Sequence, residues 1–133
     1  MEKLGELLGV LTAVCYFAAV SDYFWKLFLR LWISRLPKGS ALRNAYMKLM
    51  RLALRYHRWL GVSAGILGPV HLLVQLSSGR FSLSGVIAAA LLAATALLGM
   101  LIAWGRRPKM VRIHRPLAFS VLVMVVIHLI LEG

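Results

Sequence analysis

Four apolar stretches, each close to the length of a bilayer crossing, constrain this chain more than any other feature. A helix needs about 20 apolar residues to cross the hydrocarbon core. The stretches cover approximately residues 4–25, 57–77, 83–104 and 114–131. With 61% hydrophobic residues in 133, a water-soluble domain could not bury its apolar surface. The expected fold is therefore all-α: a single integral membrane four-helix bundle spanning residues 1–133. That length leaves no room for a separate flavin or nicotinamide module, so such chemistry would have to come from a partner.

The formal net charge of +12 would suggest nucleic acid in a soluble protein, but its distribution argues for membrane topology instead. Nine basic residues, from Lys26 to Arg58, lie between or flank the first two stretches. Arg106, Arg107, Lys109, Arg112 and Arg115 lie between the third and fourth. Only Arg80 occupies the link between the second and third, and only Lys3 the N-terminal tail. The positive-inside rule then puts both termini outside and the two basic links in the cytoplasm, in a plasma or bacterial inner membrane. Nucleic acid is not an expected partner; membrane lipid is. The first stretch does not read as a cleaved signal peptide, because Glu2 and Glu6 lead it and its strongest basic flank follows it.

Within the first basic link, Pro37-Lys38-Gly39-Ser40 reads as a turn with Ser40 as a helix N-cap. Leu42, Ala45, Tyr46, Leu49, Leu52, Ala53 and Tyr56 then share one helical face. This predicts an amphipathic cytoplasmic linker helix, either lying in the interface or extending the second span. Asp22, the one acid well inside the chain, is read as a boundary residue paired with Lys26, in preference to a proton relay. Cys15 is read as a small packing residue, since it has no partner for an internal disulfide.

The chemistry-bearing residues are the histidines. His57 and His71 lie on the second span, His114 and His128 on the fourth, each pair 14 residues apart. Fourteen residues are two heptads and roughly 21 Å of helix, so both members of a pair face the same way at two depths. The second and fourth spans run in parallel, which sets His57 opposite His114 near the cytoplasm and His71 opposite His128 towards the outside. Two facing imidazoles suit a flat macrocycle with two open axial positions. They do not suit zinc or copper, which want three or four protein ligands, or a di-iron site, which wants buried carboxylates. Without a CxxCH motif, any haem is non-covalent.

Gly85 and Gly99 on the third span are also 14 apart. Reflecting the hairpin about residue 78 sets Gly85 level with His71 and Gly99 level with His57; the next hairpin brings in His128 and His114. Gly61 and Gly68, with Ala64, occupy the face between the histidines of the second span. Such glycines leave clearance for a bulky ring, although small residues in membrane helices also serve packing alone. Arg58 and Arg115, beside the inner ligands, have two readings of equal weight: pairing with haem propionates, or contact with lipid phosphate. Pro69 either aims His71 or merely kinks its span.

The stretches from His57-Arg58-Trp59-Leu60-Gly61 to His71, and from His114-Arg115-Pro116-Leu117-Ala118-Phe119 to His128, resemble the di-haem core of the ferric reductase and NADPH oxidase transmembrane domain. The use of the second and fourth helices with paired glycines is also similar to cytochrome b of the quinol–cytochrome c oxidoreductases. The resemblance covers roughly residues 55–131. It implies two haem b groups, one on His57 and His114 and one on His71 and His128, with Gly85 and Gly99 as ring contacts. Both families carry further helices or domains that this sequence lacks, so no substrate follows from them. The function expected is transmembrane electron transfer from a cytoplasmic flavoprotein or quinol to an external acceptor. The alternatives are the membrane-anchor cytochrome subunit of a larger quinone-linked oxidoreductase, and a haem-free structural or transport bundle. Whether the chain is itself an enzyme stays open. The alanine-rich third span offers a face for a homo-oligomer, but packing within the bundle is the preferred reading.

Overall fold

A computed structural model of the protein describes residues 2–105 and 108–132. Arg106 and Arg107, counted above in the second basic link, lie outside the described residues. The described chain forms α1 (Glu2–Leu31), a short 3-10 turn (Ile33–Arg35), α2 (Ala41–Ser77), α3 (Leu83–Gly105), a second 3-10 turn (Pro108–Met110) and α4 (Val111–Glu132). No strand occurs among the described residues. All four helices are long and apolar enough to cross a membrane.

Each helix packs antiparallel on its neighbour in sequence. Contacts between α1 and α4 then close the bundle: the Tyr16 hydroxyl donates to the Ala118 carbonyl at 2.6 Å, and Tyr23 meets Phe119 edge to face. The central core is Tyr16, Ala64, Leu92 and Val121, with Cys15 packed against it. Ala64 and Val121 each fall midway between the two histidines of their helix, and both are fully buried. An apolar plug therefore separates the two histidine levels. Most other large apolar side chains face outwards, the reverse of a soluble bundle but expected of helices whose solvent is hydrocarbon.

The amphipathic linker segment is not a separate element. Ser40 caps α2, its side chain accepting from the Arg43 backbone N–H at 3.4 Å, and Gly39 takes a positive φ of 93° in the turn before it. From there α2 runs without interruption through Pro69 to Ser77. Of the two forms expected for this segment, the extension of the second span is the one that forms. Of the predicted apolar face only Tyr46 is buried. Tyr46 and Met50 are buried with Ile33, against Trp25, Leu29 and Leu36, while Leu42, Leu49, Leu52 and Tyr56 stay exposed. The reason is tertiary: α1 continues beyond the apolar stretch to Leu31 and offers Trp25 and Leu29 to the Tyr46 side of α2. The Tyr46 hydroxyl donates to the Trp25 carbonyl at 2.6 Å, fixing that side inwards.

The α2–α3 register also departs from expectation. Gly65 packs directly on Ala96, and Gly68 on Leu92. The hairpin therefore folds about a point near residue 80, not 78, which sets α3 about one helical turn along from the expected alignment. His71 falls opposite Ala89 rather than Gly85. The turn itself uses Gly79 at φ 76°, and Arg80 pairs with Glu2, tying the turn to the N-terminal end of α1.

Candidate bis-histidine sites

All four histidines lie against neighbouring helices, and three of the rings meet a polar group there through Nδ1. On α2, His57 donates from Nδ1 to the Ala19 carbonyl at 2.8 Å, and His71 donates from Nδ1 to the Gly5 carbonyl at 2.8 Å. A carbonyl can only accept, so each of these nitrogens carries the ring proton and Nε2 is left with its lone pair. On α4, His128 Nδ1 lies 3.0 Å from the Ser84 hydroxyl and 3.5 Å from that of Ser82. His114 Nδ1 is buried without a hydrogen-bond partner among the described residues. Among the described residues, no hydrogen bond engages Nε2 of any of the four. Metal-ligating histidines are typically held in this way, with one nitrogen tied to the protein and the other free.

Glycines make these approaches sterically open. A Cβ on Gly9 would stand 3.0 Å from His71 Cε1, one on Gly85 3.1 Å from His128 Cε1, and one on Gly99 3.3 Å from His114 Cε1. Gly85 and Gly99 thus sit at the levels expected for α4, but their nearest neighbour is the imidazole itself. With the shifted register, the partner of His71 is Gly9 on α1. That position escaped the sequence reading, because nothing in the sequence tells which carbonyl an imidazole will reach. The only available signal was the Gly5–Gly9 pair one turn apart on the first span. Of the other glycines, Gly68 is packed tightly by Leu92 and Thr12, whereas Gly61, one turn beyond His57, faces open space.

The couples differ in closeness. The ring centres of His57 and His114 are 6.4 Å apart and their planes stand at 82°. Two imidazoles sharing one metal, each at about 2 Å with about 1 Å more from nitrogen to ring centre, would have centres about 6 Å apart. The observed spacing fits. His71 and His128 instead both line a cavity of about 580 Å³, together with Gly68, Gly85, Leu92, Arg80 and Gln75. That volume lies within the range of about 300–1,000 Å³ usual for organic ligand sites. Among the described residues, no three His, Cys, Asp or Glu side chains converge. A macrocycle that brings its own equatorial nitrogens would need only two axial ones.

Arg58 and Arg115 are exposed, and the Arg58 guanidinium lies 5.7 Å over the Trp59 ring. Asp22 accepts from Lys26 Nζ at 2.9 Å, as expected, and its Oδ2 is also 3.9 Å from His57 Nδ1. No protein-family model, no curated protein and no solved structure matches this chain.

Proposed function

We propose that the protein is a di-haem b-type cytochrome that carries electrons across a membrane, with His57 and His114 as ligands of an inner haem and His71 and His128 of an outer one. The observation that carries this reading is the state of the imidazoles: Nδ1 of His57, His71 and His128 meets a polar group on a neighbouring helix, and among the described residues no hydrogen bond engages Nε2 of any of the four, in two couples separated by an apolar core. A haem held between two histidines passes single electrons between its ferric and ferrous states without opening a coordination site to substrate. The work of this chain is then to hold and orient. Gly9, Gly85 and Gly99 let the imidazoles lie against backbone, and the Ala64–Val121 plug excludes water between the two levels. Both termini outside and both basic links in the cytoplasm is the topology that the charge distribution supports. The electron path then runs from a cytoplasmic or quinol donor to an external acceptor.

A second reading, the membrane-anchor cytochrome of a larger oxidoreductase, is favoured by the hairpin of α1 and α2. At 37 residues, α2 is about 55 Å long, more than the ~40–45 Å of a whole bilayer. Its basic end would stand clear of the lipid with Leu42 and Leu49 exposed, as a subunit contact would require. A reduced-minus-oxidised spectrum of the purified chain, with the haem-to-protein ratio, tests both. A low-spin b-type spectrum at about two haems per chain is expected; a colourless, folded protein overturns the proposal. A stoichiometric catalytic subunit in the purification selects the second reading.

A further inference from the structure

The inner couple has a feature that the outer one lacks. Asp22 sits on α1 three residues after Ala19, whose carbonyl receives the His57 proton, and its side chain is only 13% exposed. Lys26 engages Oδ2, but Oδ1 is buried without any hydrogen-bond partner. A buried, half-satisfied carboxylate is costly to keep, and simple helix pairing with Lys26 would be met as well by a fully exposed acid. What the buried position adds is a fixed negative charge 3.9 Å from His57 Nδ1.

We propose that Asp22 is a positioning residue whose charge, set beside the His57 imidazole, lowers the reduction potential of the inner haem site. This rests on the di-haem reading and deepens it. Loss of one electron raises the charge of the metal–imidazole unit by one, so a nearby carboxylate stabilises the oxidised form and the potential falls. A negative group beside a ligand also makes that imidazole a stronger donor, in the same direction. Lys26 opposes the effect through its hold on Oδ2, and the exposed Arg58 and Arg115 oppose it more weakly across solvent. In the outer couple the groups meeting Nδ1 are neutral: the Gly5 carbonyl for His71, the Ser84 and Ser82 hydroxyls for His128. Glu6, Glu132 and Arg80 also line the outer cavity, Glu132 one turn from His128 on α4, but all three are exposed, so their charges act there through solvent. A lower inner potential adds driving force for electrons to pass outwards.

The test is a potentiometric titration of the full-length haem-loaded chain and two variants, following the haem absorbance. Asp22→Asn keeps the shape and removes the charge; Lys26→Met leaves the carboxylate unopposed. The wild type should titrate with two midpoints. Asp22→Asn should raise one and leave the other in place, and Lys26→Met should lower that same one, both with the low-spin spectrum retained. If Asp22→Asn does not fold, the direction of the Lys26→Met shift decides alone. A colourless wild type overturns the di-haem reading itself. A coloured wild type whose midpoints ignore the substitutions, or move together, overturns only the role of Asp22.

Discussion

An imidazole becomes a metal ligand or a passive packing group according to which of its nitrogens the surroundings occupy. His57 and His71 spend Nδ1 on backbone carbonyls at 2.8 Å, and this both orients the ring and leaves Nε2 basic. Replacing His71 by Ala should therefore abolish the outer haem and keep much of the inner one, reading as about one haem per chain instead of two in a pyridine-haemochrome assay. Equal loss of both haems in a folded protein would contradict the assignment of levels. The supporting glycines predict the same selectivity without touching a ligand. A Val at Gly9 would push against His71 Cε1, 3.0 Å from the new Cβ, and one at Gly99 against His114 Cε1, 3.3 Å away. Overpacking of this kind costs about 1–3 kcal/mol. Gly9→Val should weaken outer haem retention, and Gly99→Val inner haem retention, measured by haem loss to apomyoglobin. The histidines and Gly99 were legible from their spacing of 14. Gly9 was not, because the carbonyl that meets His71 is 66 residues away in the chain.

The hairpin of α1 and α2 shows how far an element can be read from its own pattern. Leu42, Tyr46, Leu49 and Tyr56 recur at helical spacing, which predicts a helix correctly, yet of these only Tyr46 packs, together with Met50 from outside the predicted face. Periodicity reports that a face is apolar, not that a neighbour is available to cover it. The neighbour here is the last part of α1, held by the Tyr46–Trp25 hydrogen bond and the tilted contacts of Trp25 and Phe28 with the Tyr46 ring. Tyr46→Ala removes a buried aromatic, a change worth about 3–5 kcal/mol in a core, but this cluster lies outside the histidine levels. Hydrogen exchange should accelerate over residues 33–50 while the haem spectrum stays as in the wild type. A coupled loss of haem would show that the hairpin and the bundle fold as one unit.

Over the whole molecule, charge and apolar length act independently. The four acids divide unevenly: Glu2, Glu6 and Glu132 at the end that carries both termini, Asp22 at the other among the basic residues. In a Cys15→Ser background, Ser40→Cys should react with an impermeant maleimide only from the cytoplasmic side, and Ser78→Cys only from outside. Reversed labelling would overturn the topology proposed from the positive-inside rule. Composition and spacing alone determined that there are four long apolar helices, where the basic links fall, and that the histidines pair by helix, because these depend on local periodicity and on the cost of burying charge in hydrocarbon. Only the tertiary structure decided the α2–α3 register, the carbonyls that orient His57 and His71, and the burial of Asp22 beside His57. Each of these depends on how antiparallel helices slide and cross once packed, and a shift of a single turn there moves every facing residue without changing one letter of the helical pattern.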